Sequence, residues 1–357
     1  MVEFWRAGGS VSTTTAAEAR QVEAEGWDGQ MFMDSQSLSA DPFVLMGAWA
    51  MATERLKLCT GVTNPATRHP AVLAANIATV QAISSGRAIL GLGRGDSALA
   101  YLGHAPVTLP AFHAGITTLQ TLLSGGEVDF NTQPLFASTK SAESLSLGAR
   151  PTATRLKWLP AHKVPLDIAA TGPKIIEMAA PIAERITFSV GAITDRLEWA
   201  LNLARAAAGS NNPSYGAQII VVCHPDIEAI RTAATSFVAP LARFQIIQGT
   251  AAGPQTTSDA ANFAAIRTGY DMTKHDQKIS HDKLGGAQLD WDFVQRFAIV
   301  GPPAHCIERL LELASLGIER FVIVGPGFHP EAGQGGTTLF ASTVMPAVRA
   351  RLHGPNP

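Results

Sequence analysis

Eight short apolar segments, each ending in a turn and followed by a helical stretch, recur along this chain, and that rhythm limits its fold more than any other feature. The strand segments are 3–7, 28–34, 56–62, 87–93, 165–170, 185–190, 217–223 and 320–324. They are rich in Val, Ile and Leu without strict alternation, the pattern of a parallel sheet covered on both faces. Helical stretches follow at 13–26, 43–53, 69–84, 110–124, 172–183, 194–208 and 226–247, with further helices at 303–316 and 338–352. Eight strand–helix units with no Pro/Gly/Ser linker between them predict an α/β fold, a (β/α)8 barrel, over an open doubly wound sheet. The chain reads as one barrel domain over residues 1–357. Two polar excursions interrupt it, at 125–160 and 249–290, the second holding a short helix at 260–270.

Composition narrows the function classes. Lys plus Arg total 27 and Asp plus Glu 29, a net charge of −2, which offers no footprint for nucleic acid or anionic lipid. No apolar run reaches the roughly 20 residues of a membrane span, and the first residues are not a signal peptide. The expectation is a soluble cytoplasmic protein acting on a small molecule. Cys59, Cys223 and Cys306 are odd in number, widely spaced and without a histidine at ligand spacing, so neither a disulfide framework nor a metal site is expected. Charged residues make up only 16 % of the chain, which fits an apolar face buried between subunits or an Ala-rich composition.

In a barrel of this kind, binding residues occupy the loops after the strands. The candidates are Arg6, Asp34, Ser35, Gln36, Thr63, Asn64, Gly95, Asp96, Ser97, Thr171, Gly172, Pro173, Lys174, Gly191, His224 and the run from Gly325 to His329. Each carries more than one reading. Thr171-Gly172-Pro173-Lys174 opens a helix whose outward amides suit a phosphate, or is an ordinary turn with Pro at the first helical position. Gly91-x-Gly93-x-Gly95 allows a flat ligand close to the backbone, or serves tight barrel packing. Asp34 can bond a cofactor, carry a proton or cap its loop, and Arg68-His69-Pro70 can meet an anion or start a helix. His329 closes a glycine-rich loop from which it reaches substrate, or stands exposed and idle. No Gly-x-Ser-x-Gly elbow and no His-Glu-x-x-His pair is present, which points to chemistry supplied by an organic cofactor.

Three strings, Val62-Thr63-Asn64-Pro65-x-Thr67-Arg68-His69-Pro70, Ser85-Gly86-Arg87-Ala88-Ile89-Leu90-Gly91-Leu92-Gly93-x-Gly95-Asp96 and Ala169-Ala170-Thr171-Gly172-Pro173-Lys174, together resemble the bacterial luciferase-like superfamily. Within it, the resemblance is nearest to the methylene-tetrahydromethanopterin reductase branch. It implies a barrel, usually a homodimer, that holds a flavin or deazaflavin at the strand C-termini. In that family a bulge after the third strand, often with a non-proline cis peptide, lies against the ring, and the matching bond here is Gly61–Val62. Thr63 and Asn64 match ring-edge positions, Gly95 and Asp96 the ring or its side chain, and Ala170, Thr171, Gly172, Pro173 and Lys174 the phosphate site. Asp34, Ser35, Gln36 and His329 would surround the substrate. Members that oxidise sugars or emit light place a His after the strand-two Asp; here Ser35 stands there, so their His-based mechanism does not carry over.

Three functions follow from the resemblance. The preferred one is hydride transfer between coenzyme F420 and a small organic substrate, with the barrel orienting the partners and excluding water. The second is an FMN-dependent monooxygenase fed by a separate reductase, and the third a flavin-binding protein without turnover. The two excursions would shape the substrate pocket, with Trp158, Phe263, Tyr270 and Trp291 as apolar walls or as exterior packing.

Overall fold

The structure, a computed structural model, describes residues 2–8, 15–129, 144, 146, 148–149, 151–275, 284, 288–325 and 339–353. Eight parallel strands close on themselves: β1 (Glu3–Gly8), β2 (Gly29–Phe32), β3 (Lys57–Thr60), β4 (Ala88–Leu92), β5 (Leu166–Ala170), β6 (Arg185–Phe188), β7 (Ser214–Cys223) and β8 (Arg320–Val324). Each pairs with the next, and β8 returns to β1 with Glu3 opposite Arg320, so the expected barrel is what forms. Because side chains alternate along a strand, Phe4, Leu58, Leu90 and Ile168 face the surrounding helices while Trp5, Met31, Cys59, Ile89 and Val322 meet inside. That two-sided burial is why the strands read as unbroken apolar runs.

The interior is not apolar throughout. At the strand starts, Glu3, Lys57, Asp167, Arg185 and Arg320 form a connected ion network. Arg320, 1 % exposed in its side chain, lies 3.0 Å from Asp167, and it also donates to Thr187 Oγ1 at 3.0 Å and Ser214 Oγ at 3.1 Å. Arg185 bonds Glu3 at 3.2 Å and covers the Trp5 ring at 5.1 Å. Burial would raise the Glu3 carboxyl, but Arg185 and Lys57 outweigh it and hold the group at about 2. The N-terminal end of the barrel is thereby plugged by charge.

Helix starts follow their sequence signals. Asp41 accepts from the Phe43 and Val44 amides ahead of Pro42–Ala52, and Thr256 with Asp259 forms a capping box for Thr257–Gly269. Among the elements with no sequence signal are the five-residue helix Asp96–Ala100, the helix Trp291–Phe297, and the strand Ile299–Gly301, which pairs with Val221–Cys223 at the end of β7. The last two, with Ile227–Ala242 and Thr257–Gly269, bury an apolar cluster of their own that includes Phe263, Phe293 and Phe297. Phe263 is therefore core and not a pocket wall. Trp158 is 47 % exposed, and Trp291 lies under Arg231. In the first excursion, Val128–Asp129 and Ala153–Thr154 form a two-stranded antiparallel ladder. No described helix is long and apolar enough to cross a membrane. All three cysteines are buried and unpaired by disulfide.

Candidate active site

At the C-terminal end of β3 and β4 the backbones approach so closely that a Cβ on Gly91 would lie 2.0 Å from the Thr60 carbonyl oxygen. Glycine is required there by the barrel itself, which answers the packing reading of Gly91 directly. Past this contact the chain bulges. The Gly61–Val62 peptide is cis, Thr63 N–H donates to the Gly91 carbonyl at 2.9 Å, and Gly93 N–H donates to the Thr63 carbonyl at 2.8 Å. Gly95, with φ of 78°, is likewise tight: a Cβ would meet the Asn64 side chain at 2.8 Å.

This bulge carries polar atoms that the protein does not use. Thr63 is fully buried, and its Oγ1 has no hydrogen-bond partner among the described residues. Asn64 Oδ1 accepts from the Ala66 and Thr67 amides at 3.0 and 2.9 Å, yet Asn64 Nδ2 is unpartnered. In the loop after β2, Ser35 Oγ is buried and likewise has no partner among the described residues. An orphaned buried donor or acceptor costs about 1–3 kcal/mol, and three of them stand here in adjoining loops. The bulge thus offers hydrogen-bonding groups of the kind that a heteroaromatic ring edge takes up.

Asp34 is committed differently. Its carboxylate, 3 % exposed, is ion-paired with Arg68, whose second nitrogen bonds Asp41 at 2.7 Å and whose guanidinium covers the Phe43 ring at 5.3 Å. Burial lowers the Arg68 pKa, but Asp34 and Asp41 more than restore it. Arg68 therefore clamps the loop after β2 to the one after β3 and does not await an anion. His69 Nδ1 accepts from the Ala71 amide at 3.2 Å and caps the helix Pro70–Ile83, and burial lowers its pKa. Gln36 donates to the Ala98 carbonyl at 2.8 Å, tying the β2 loop to the short helix after β4.

Asp96 opens that short helix and is ion-paired with Arg243, which also donates to Ser97 Oγ at 3.0 Å. Burial raises the Asp96 pKa, with Arg243 opposing. Arg243 belongs to the turn Arg243–Gln245 after β7, and the sequence reading missed it because nothing in an Arg inside an apolar helical stretch marks it as buried beside a distant Asp.

Ala170 ends β5 buried, Thr171, Gly172 and Pro173 are half-buried, and Lys174 is exposed. Gly172 is the N-cap of Pro173–Ala179, and among the described residues no side chain caps this helix and a Cβ on Gly172 would meet nothing within 4 Å. Open space beside uncapped amides, in contrast to the crowding at Gly91, suits an anionic group. Gly191 packs on Phe297, and His224 Nδ1 accepts from the Asp226 amide at 3.0 Å, so neither joins the mouth chemically. His329 lies outside the described residues. Among the described residues no His/Cys/Asp/Glu cluster has the makings of a metal site. Two surface clefts lie elsewhere, one at the barrel's N-terminal end beside Arg205, Asn211 and Glu319, one along Asp195, Trp199 and Asn202. Arg205 and Asn211 already bond backbone carbonyls, which sets the first cleft apart from the mouth.

A parallel barrel with unsatisfied polar groups in the loops after β2 and β3 and an open helix start after β5 is a ligand-binding barrel of the enzyme type. The chain belongs to the luciferase-like monooxygenase family, whose model matches residues 5–320. It is 24 % identical over 322 residues to the 5,10-methylenetetrahydromethanopterin reductase of Methanolobus tindarius, covering 86 % of this chain and 89 % of that protein. It is 26 % identical over 319 residues to the F420-dependent glucose-6-phosphate dehydrogenase of Microbacterium testaceum, covering 86 % and 82 %. The coenzyme F420-dependent tetrahydromethanopterin reductase structure from Methanopyrus kandleri superposes with a TM-score of 0.70 at 20 % identity, covering 97 % of this chain and 99 % of that one.

Proposed function

We propose that the chain is an oxidoreductase that moves a hydride between coenzyme F420 and a small organic substrate. The observation that carries this reading is the set of unpartnered buried atoms Ser35 Oγ, Thr63 Oγ1 and Asn64 Nδ2 beside the Gly61–Val62 bulge. The names of the relatives at comparable coverage support the deazaflavin as the ligand that completes it. Bound there, the deazaflavin supplies a two-electron hydride carrier. Thr63 and Asn64 would hydrogen-bond its ring, the backbone at Gly61, Val62 and Gly95 would bound it, and at the helix start set by Pro173 the amides of Thr171, Gly172 and Lys174 with the Lys174 ammonium would take its anionic tail. Asp34, fixed by Arg68, would hold the loop that places Ser35 and Gln36 on the substrate side. It positions and does not carry the proton.

Titration of the apoprotein with each coenzyme, followed by fluorescence, tests the choice. Saturable F420 binding with FMN at least about tenfold weaker is expected, a difference of about 1.4 kcal/mol. Tight FMN binding without F420 affinity overturns the choice in favour of an FMN monooxygenase with a separate reductase, the chemistry in the family's name. Stoichiometric coenzyme binding without any turnover leaves a flavin-binding protein.

We also propose a homodimer. The helix Pro42–Ala52 carries no polar side chain, and with its neighbour Pro70–Ile83 it exposes Val44 (70 %), Met51 (78 %), Val72 and Ile83. Sedimentation should show a dimer that Met51→Glu turns into monomer, and an unchanged sedimentation coefficient in that variant rejects this face.

A further inference from the structure

One polar cluster at the mouth is not used by any of these roles. Ser97 directly follows Asp96 in the short helix after β4, next to Gly95 and its contact with Asn64. Its Oγ lies 3.3 Å from His275 Nε2, and His275 Nδ1 lies 2.5 Å from the Tyr270 hydroxyl. Two stretches far apart in sequence thus meet in one unbroken string of hydrogen bonds. Arg243 flanks it, bonding Ser97 and Asp96 and lying over the rings of Phe244 at 4.5 Å and Tyr270 at 5.5 Å. The other titratable neighbour among the described residues, Tyr101, is tied to the Met272 carbonyl at 3.0 Å.

The string has no fixed direction. A neutral imidazole donates from one nitrogen and accepts at the other, and a hydroxyl does both. With the proton on Nε2, Tyr270 donates to Nδ1, His275 donates to Ser97, and the Ser97 proton is directed onward. With the proton on Nδ1 every bond reverses. Arg243 donates in both arrangements, so it fixes the Ser97 oxygen without taking part in the exchange. Passage of one proton converts one arrangement into the other.

We propose that Ser97, His275 and Tyr270 form the proton path of the reaction, with Ser97 touching the substrate heteroatom and the other two resupplying it. This rests on the hydride-transfer reading above and narrows its substrate to one whose reacting bond is C=O or C=N in the oxidised form and CH–OH or CH–NH in the reduced form. Reduction of such a bond adds a hydride at carbon, from the reduced deazaflavin, and a proton at the heteroatom. The Ser97 O–H bond breaks as the new heteroatom–hydrogen bond forms. Ser97 Oγ takes the proton of His275 Nε2, Nδ1 takes that of Tyr270, and Tyr270 takes one from water. One proton passes from solvent to substrate, no charge is left in the path, and oxidation runs the same exchanges backwards. Burial pushes Tyr270 up to about 12, with Arg243 opposing, so it starts each cycle protonated at neutral pH.

Nitrogen-15 NMR of the full-length protein with labelled histidine tests the path without cofactor or substrate. Ser97→Ala should move the resonance of Nδ1, the nitrogen remote from Ser97, and Tyr270→Phe that of Nε2. Ser97→Thr, which keeps the hydroxyl, should leave Nδ1 at its wild-type position. If each substitution moves only the adjacent nitrogen, or neither, the path is overturned even when F420 binds tightly. A wild-type protein that binds no F420 removes the hydride-transfer reading and the path with it, so the two failures are told apart by the coenzyme titration.

Discussion

The two ends of the barrel interior treat polar groups in opposite ways. At the N-terminal end Glu3, Lys57, Asp167, Arg185 and Arg320 are charged, buried or half-buried, and paired with one another. At the C-terminal end Ser35, Thr63 and Asn64 are neutral and buried, and each leaves an atom without a partner among the described residues. A buried charge is retained only when its partners are present, whereas a neutral orphan costs little enough to be kept for a ligand. The difference between the two ends is one of charge: the plug neutralises its own charges, whereas the neutral Ser35, Thr63 and Asn64 leave open the hydrogen-bonding capacity that the proposed coenzyme would take up.

Four substitutions test that contrast. Asp167→Asn leaves Arg320 and Arg185 short of a counter-charge and should cost about 3–5 kcal/mol in denaturant unfolding; a loss below about 1 kcal/mol would mean the plug is not what holds that end. Glu3 comes next. Its folded pKa of about 2 lies below the ordinary glutamate value of 4.5, so its stabilisation is full above pH 4.5 and is lost as pH falls towards 2. The difference corresponds to about 3 kcal/mol, and Glu3→Gln should flatten that limb of the stability–pH curve. At the other end the sign reverses: Thr63→Val removes an orphan hydroxyl and should stabilise the apoprotein by about 1 kcal/mol while weakening F420 binding about tenfold. Stability lost and binding kept would place Thr63 among ordinary core residues. The smallest effect is expected for Gly172→Ala, within about 0.5 kcal/mol on stability because the added methyl meets open space. Coenzyme affinity should still fall measurably, and unchanged affinity would remove Gly172 from the anion site.

The barrel was legible because its signals are local: apolar strands, Asp41-Pro42, His69-Pro70 and Gly172-Pro173 each announce a boundary within a few residues. The bulge at Gly61–Val62 was legible only through resemblance to a family. What the sequence withheld was pairing at a distance. Nothing beside Asp34 or Asp96 announces that Arg68 and Arg243 neutralise them from 34 and 147 residues away. Ser97 and His275 likewise meet across 178 residues. The strand Ile299–Gly301 is too short for its periodicity to register, and it exists because the end of β7 offers it a ladder.

That added strand gives the molecule a second scale of organisation. The helices Ile227–Ala242, Thr257–Gly269 and Trp291–Phe297 are anchored through it to one barrel strand and are filled by their own aromatic cluster. Tyr270 and His275 follow directly from this bundle, so its exchange or remodelling would change what reaches the mouth while the strand register beneath stays intact. Diversification of chemistry in such a chain is a matter of refitting one attachment, not of redrawing the barrel.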